Sequence, residues 1–584
     1  MPMPAAHRLD IEFHRTRATA VTVVRTAALL LAAAAPLVAQ RAASSDPRPS
    51  RVDSVFRLFD RTDGPGCAVG VYQHGAVTYA RGYGMASLEL GVAISPRTVF
   101  DVGSLSKEFT AMSILLLQQD GKLSIDDPVR KYVPELPAYA DRITLRQLLS
   151  HTSGIRDHFD LLDVAGQDFD GTADTVDYLR LITRSARPNF EPGTRYLYSN
   201  SGFVLLATIV YRVSGEPLPR FAAERIFTPL GMRDTRFQDD HTLVIPNRAT
   251  AYAPRRGSWA RRMSQFDGMA GAGGLHTSVE DFQRWIRNYD EATVGSKEII
   301  AAMLTPTRLV NDSLASSGPD SYYGLGVGVG KYRGLRVDSH TGVWAGYRAA
   351  FDRFPDQDFT VATFCNFTTS GPDSLARKVA AIYLGDAMVP DFAAAWRDTL
   401  LRSPAVTRSV AELRPLTGSW RNVELGEVRR TELAGDTLVL RTGSRAALVP
   451  LGARRFRAAP ATEVSFTGDR AGAPTALLVR SGGNTTTFDR VASPASSVRL
   501  ADYDGDYYNP EVEVTFHLRM DGDSLVAWRG GRREGTLHPA SRDLFVDGSS
   551  EVDFTRDRSG RLTGFVLEAG RVRHLRFDLQ PGKR

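Results

Sequence analysis

Hydrophobic and polar positions fall into three textures along the chain. From residue 66 an apolar run over 67–73, a His74-Gly75 turn and a second run over 76–83 read as a hairpin. Val99-Phe100-Asp101-Val102-Gly103 then leads into a stretch where Phe109, Met112, Ile114, Leu115, Leu116 and Leu117 give a broad apolar face, closed by Gly121 and Pro128, so a helix is expected with Ser104 at its start. Further helical patterns over 145–154, 203–214 and 278–289 lie in a glycine-punctuated region spanning 125–310. After 335 the period shortens: strand-like runs at 335–344, 347–354 and 359–367 precede a helix through 374–384. A sheet assembled from both ends of this region, with helices inserted between, is the expected arrangement.

Past Pro390 a linker near 402–410 gives way to all-β patterning that repeats itself. Gly435-Asp436-Thr437-Leu438 returns as Gly522-Asp523-Ser524-Leu525 (522 − 435 = 87), and Glu463-Val464-Ser465-Phe466 returns as Glu551-Val552-Asp553-Phe554 (551 − 463 = 88). The stretch 413–422 likewise resembles 500–509. So constant an offset points to duplication of a unit rich in Asp-Gly and Gly-Asp turns, joined through Ser493-Pro494-Ala495. Two small barrels over 411–492 and 498–580 are expected; one larger barrel closed by both units is the rival.

The N-terminus adds a processing signal. Arg8, Arg15, Arg17 and Arg25 precede an apolar stretch over 26–39 and then polar sequence over 40–54, the order of a signal peptide ending near Leu37-Val38-Ala39. The apolar stretch falls short of the roughly 20 residues of a membrane-spanning helix, although an uncleaved anchor that also uses 20–24 is the alternative. The expectation is therefore an exported protein, periplasmic or secreted, with no transmembrane domain in the mature chain. It divides into a signal peptide over 1–39, a linker over 40–51, a catalytic domain over 52–388, a linker over 389–410, and the two β repeats.

Seventy-two Lys and Arg against 66 Asp and Glu give a net charge of +6, but the signs are interspersed and no run of like charges leaves a footprint for nucleic acid. Lysine occurs only at 107, 122, 131, 297, 331, 378 and 583, so Lys107 is one of few candidates for lysine chemistry. The two cysteines, Cys67 and Cys365, sit in apolar strand-like runs and read as buried small hydrophobes rather than a disulfide.

Ser104-Leu105-Ser106-Lys107 puts a hydroxyl and an ammonium one helical turn apart, where a partly desolvated lysine can act as base for the serine. Tyr198-Ser199-Asn200 follows Pro192-Gly193 in a turn-like stretch; Tyr198 is placed to shuttle a proton and Asn200 to bind a substrate amide carbonyl. His340-Thr341-Gly342 lies in an expected strand, where Gly342 allows close approach of substrate, His340 can hydrogen-bond the tyrosine or attract a carboxylate, and the N–H of Val343 can form half of an oxyanion hole. Singly, each motif is also what a solvated loop or a structural histidine would look like.

Taken in order, the three motifs resemble the signature of the serine β-lactamase and penicillin-binding-protein superfamily, over about residues 52–388. His151 and His276, in Leu148-Leu149-Ser150-His151-Thr152-Ser153-Gly154 and Gly273-Gly274-Leu275-His276-Thr277-Ser278, are read as architectural. The tyrosine form of the second motif is similar to class C β-lactamases, D-alanyl-D-alanine carboxypeptidases, D-aminopeptidases and related esterases. The resemblance implies an α/β (α+β) catalytic domain, an antiparallel sheet flanked by helices with a helical lobe, followed by lipocalin-like β barrels such as the accessory barrels of D-aminopeptidases. It implies a serine hydrolase working through an acyl-enzyme, with Ser104, Lys107 and Tyr198 catalytic and Asn200, His340, Thr341, Gly342 and Val343 binding substrate, without cofactor or metal. The substrate would be a D-amino-acid peptide, a small ester or a β-lactam; a non-catalytic sensor of peptidoglycan fragments or β-lactams is the alternative. Histidine in place of lysine in the third motif weakens the case for a β-lactam. For the β repeats, stability or oligomerisation is preferred to a loop that reaches the active-site mouth.

Overall fold

The strand-like runs at the two ends of the catalytic part pair into a single sheet. The computed structural model describes residues 46–581 except 168–171, 264, 267–269, 443, 459–460, 470–471, 492–497 and 549. The expected leader and the Ser493-Pro494-Ala495 junction lie outside the described residues. The sheet comprises β1 (Cys67–Gln73), β2 (Ala76–Tyr83), β3 (Ser316–Gly318), β4 (Ser321–Tyr323), β5 (Gly328–Tyr332), β6 (Leu335–Trp344), β7 (Tyr347–Phe354) and β8 (Phe359–Cys365), in the order β3-β4-β5-β6-β7-β8-β1-β2. Every pairing is antiparallel.

Strand alternation assigns the two faces. Cys67, Val69 and Val71 of β1 pack with Val52 and Phe56 of α1 (Arg48–Phe56) and with Val379 of a helix at Pro372–Leu384. Ala68 and Tyr72 face the opposite way, into a core shared with Phe109, Leu115, Phe203 and Trp285. Burial on both faces is why β1 reads as one apolar run rather than as alternation. The second core is built by the helical lobe: α2 (Ser106–Gln119), α3 (His158–Ala165), α4 (Asn200–Ser214) and α5 (Val279–Glu291).

The structure corrects the reading of the cysteines. Cys67 and Cys365 are register partners on neighbouring strands and form a disulfide. Two thiols 298 residues apart meet because the N-terminal hairpin docks against the last strand of the sheet. The linkers are also more ordered than expected: α1 begins within 40–51, and a helix, Phe392–Arg402, occupies much of 389–410.

The duplicated region forms two separate β units with separate cores. The second is a closed eight-stranded barrel running from Gly505–Asn509 to Val572–Leu579. The first is a nine-stranded sheet whose edge strands, Ser444–Ala447 and Val449–Pro450, are successive pieces of one stretch broken only at Leu448, so it is nearly closed. Trp420 and Tyr507 occupy equivalent positions (507 − 420 = 87) and both are fully buried in their own barrels. Leu161 and Val164 of α3 join the core of the second barrel, which thereby packs directly on the helical lobe. No helix among the described residues is long and apolar enough to cross a membrane.

Candidate active site

Ser104 lies in a single 3-10 turn, Gly103–Leu105, that runs straight into α2. The turn is pinned from two sides. Gly103 has φ +52°, and a Cβ on it would stand 2.7 Å from the Val343 amide nitrogen. A Cβ on Gly342 would stand 1.8 Å from the Val102 carbonyl oxygen. Gly342 was expected to make room for substrate; it makes room for the backbone that carries Ser104.

Lys107 is fully buried, and its ammonium nitrogen lies 3.0 Å from Ser104 Oγ, 2.9 Å from Asn200 Oδ1 and 2.6 Å from the Ala272 carbonyl oxygen. The amide and carbonyl oxygens can only accept, so two N–H groups are committed to them and the third direction points at Ser104. Desolvation lowers the Lys107 pKa well below the usual lysine value, Arg571 pushes it the same way, and Asp157 opposes. The neutral amine then offers its lone pair to the serine hydroxyl, which is the geometry of a general base. Tyr198 lines the same cavity as Ser104, and its ring lies 5.0 Å from Lys107 Nζ. Burial raises the Tyr198 pKa, so the phenol holds its proton and is suited to give it to a leaving group.

Asn200 caps the proton-transfer pair in a way the motif did not reveal. Its Nδ2 donates to Asp157 Oδ2 at 2.9 Å, and its backbone N–H donates to the same oxygen at 2.6 Å. This fixes the amide with Oδ1 towards Lys107 and commits one of the two Nδ2 hydrogens to Asp157, while Asn200 still lines the cavity over Ser104. Asp157 Oδ1 accepts from the Phe159 N–H as the N-cap of α3.

His340 is hydrogen-bonded to a tyrosine, but to Tyr323 (2.8 Å) and not to Tyr198. Its Nδ1 lies 2.7 Å from the Thr341 carbonyl, which only accepts, so Nδ1 carries the proton and Nε2 accepts from the Tyr323 hydroxyl. Burial and nearby Lys107 lower the His340 pKa to about 4, leaving the ring neutral near neutral pH. His151 stacks on Tyr198 with ring centroids 4.0 Å apart and accepts from the Ser199 N–H; His276 is buried against its own backbone.

A cavity of about 500 Å³ opens over Ser104, lined among others by Tyr198, Asn200, Val343, Phe159, Trp344 and Arg571. His340 and Gly342 stand behind this wall, and the Thr341 side of β6 is exposed. Arg571 comes from the last hairpin of the second barrel, 414 residues after Asp157 (571 − 157 = 414). Sequence reasoning missed it, together with Asp157 and Asp160. Asp157 carried a faint signal as an aspartate immediately before a helical pattern; Arg571 carried none, since arginine in a β-turn is ordinary surface composition.

Fold and site together define a serine hydrolase, and the chain belongs to the β-lactamase family, whose profile matches residues 52–384, more than half of its length. The similarity extends beyond that region. A D-aminopeptidase of Brucella anthropi is 26% identical over 556 residues, covering 90% of this chain and 98% of that protein. Penicillin-binding protein 4* of Bacillus subtilis is 28% identical over 307 residues, 50% of this chain and 66% of that protein. Among solved structures, the octameric penicillin-binding protein homologue from Pyrococcus abyssi shares the fold with a TM-score of 0.53 at 21% identity, over 83% of this chain and 98% of that one.

Proposed function

We propose that the protein hydrolyses amides of D-amino acids, as small amides or short peptides, through an acyl-enzyme on Ser104. The observation that carries this reading is the Lys107 nitrogen, buried and 3.0 Å from Ser104 Oγ with its other two hydrogens tied to fixed acceptors. Lys107 takes the Ser104 proton as Oγ attacks the carbonyl carbon, and the N–H groups of Ser104 and Val343 receive the oxyanion. The tetrahedral intermediate collapses as Tyr198 protonates the departing amine and takes back the proton that Lys107 received from Ser104. Water then attacks the ester along the same path, with Lys107 or Tyr198 accepting its proton, and Ser104 is regenerated. The choice of D-aminoacyl amides rests on similarity to a D-aminopeptidase along nearly the whole chain, barrels included.

The reading includes export to an oxidising compartment, supported by the leader-like N-terminus and by the Cys67–Cys365 disulfide. It also includes the division into a catalytic domain over 52–388 and β domains over 411–492 and 498–580.

Ser104→Ala is the test. Turnover of a D-aminoacyl p-nitroanilide and covalent labelling by a fluorophosphonate should both fall by at least ~10³-fold. Undiminished labelling would overturn the assignment of the nucleophile. Faster turnover of a cephalosporin or of an L-aminoacyl amide by the wild-type protein would overturn the substrate class.

A further inference from the structure

The second barrel reaches the catalytic residues through one side chain. Arg571 occupies the two-residue turn, Gly570-Arg571, between strands Leu562–Ala569 and Val572–Leu579. The turn is held on the helical lobe by its backbone: the Arg571 N–H donates to Asp160 Oδ2 at 2.5 Å, and the Arg571 carbonyl accepts from Asn189 Nδ2 at 2.9 Å. The guanidinium bridges two carboxylates, with Nη1 3.0 Å from Asp157 Oδ2 and Nη2 2.8 Å from Asp160 Oδ1. Asp157 is fully buried, and its Oδ2 also takes both N–H contacts from Asn200. The contacts form a continuous chain: Arg571 to Asp157, Asp157 to Asn200, Asn200 to Lys107, Lys107 to Ser104.

A buried carboxylate needs a cation or several donors, and Arg571 is the cation paired with Asp157. Resting on the reading of Ser104 as nucleophile and Lys107 as its base, we propose that Arg571 is a positioning residue of the active site: by clamping Asp157 it keeps Asn200 facing Lys107 and keeps Lys107 in its working form. The catalytic centre is thus completed by the C-terminal barrel.

The charges around Lys107 give the direction of the effect. His151 and His340 have depressed pKa values and are neutral there, and the Tyr198 pKa is raised, so that ring is neutral too. Glu108, next on the same helix, turns away to Trp285 and Tyr289, and burial raises its pKa to about 8. Asp157 favours the Lys107 ammonium and Arg571 disfavours it. Without Arg571 the Asp157 field is uncompensated and the ammonium is favoured. Since the base must be neutral, the rise of kcat/KM with pH is displaced to higher pH.

The experiment is the pH profile of kcat/KM on p-nitrophenyl acetate, with fluorophosphonate labelling of Ser104 measured in parallel. Arg571→Ala should move the acid limb up by about one unit and cut kcat/KM about tenfold below it, whereas Arg571→Lys should stay near wild type. Asp157→Asn, which removes the carboxylate beside Lys107 and leaves Arg571 paired with Asp160 alone, should move the limb the other way, and the double variant should bring it back. A limb that stays in place in Arg571→Ala, with only the rate or the melting temperature lowered, would overturn the proposal by making Arg571 merely structural. If Arg571→Ala does not fold, the Asp157→Asn limb decides: displacement to lower pH supports the proposal and an unmoved limb refutes it. Failure of the nucleophile assignment is separately visible as labelling that survives Ser104→Ala.

Discussion

The two β units repeat one sequence pattern and differ in what they touch. In each, the last hairpin closes through a two-residue turn beginning with a left-handed glycine, Gly482 at φ +59° and Gly570 at φ +56°. The offset between the two hairpins is 88 residues (572 − 484 = 88), which places Gly483 opposite Arg571. One turn is exposed Gly-Gly; the other carries the arginine that bonds Asp157 and Asp160. The moorings differ as well. The first barrel holds the linker helix Phe392–Arg402, where Arg457 Nη1 donates to the Leu400 and Leu401 carbonyls at 2.9 and 2.8 Å and Arg480 lies 4.4 Å over the Trp396 ring. The second holds the helical lobe, where the fully buried Arg156 pairs with Glu511 and donates to the carbonyls of Arg573 and His574 at 3.0 Å each. The two units share a sequence pattern but differ in closure, at their turns and on their docking faces, and the second places Arg571 in the lining of the cavity over Ser104.

The largest expected effect follows from that docking face. Arg156→Ala removes the buried cation paired with Glu511 and the donor to the Arg573 carbonyl, leaving Glu511 only the Ala186 N–H, so it should cost about 3 kcal/mol of unfolding free energy. Its midpoint in urea should fall accordingly, and a loss under 1 kcal/mol would mean that the second barrel is moored elsewhere. The matching change on the first barrel, Arg457→Ala, removes hydrogen bonds to helix-terminal carbonyls that water can reach, and about 1 kcal/mol is expected. Its kcat/KM should be unchanged, since the linker helix touches none of the catalytic groups described above. Equal losses from the two substitutions would dissolve the contrast between the barrels.

Much of this was legible in the sequence, and what was not shares one physical cause. The strands at 335–344 and 347–354 and the Ser104 helix follow from local periodicity, and the barrels follow from a constant offset. Helical spacing and the order of the motifs singled out Ser104, Lys107, Tyr198 and Asn200, and the structure brings these four side chains together. The missed features are contacts between elements: the Cys67–Cys365 bond and Asp157 with Arg571 join segments far apart in the chain, and the Tyr323 hydroxyl reaches His340 across an intervening strand. Each depends on how finished elements dock, which periodicity does not encode. Asn200 shows the same limit in a residue that was found. Its place in the site was readable, but its orientation is set by Asp157.

The smallest expected effect is the most diagnostic of the duplication. Gly483→Arg installs on the first barrel the residue that the second uses, at the same turn position and after the same left-handed glycine. The Gly483 site is exposed, and a Cβ there meets nothing within 4 Å, so the side chain fits without strain. If the scaffold alone made an arginine functional, this variant would perturb the catalytic profile. Because the effect of Arg571 comes from the carboxylates it meets, Gly483→Arg should leave both limbs of the kcat/KM profile within experimental error of wild type and shift stability by no more than about 0.5 kcal/mol. A displaced acid limb in this variant would show that a remote guanidinium suffices to tune Lys107, and the contact chain through Asp157 and Asn200 would lose its special standing.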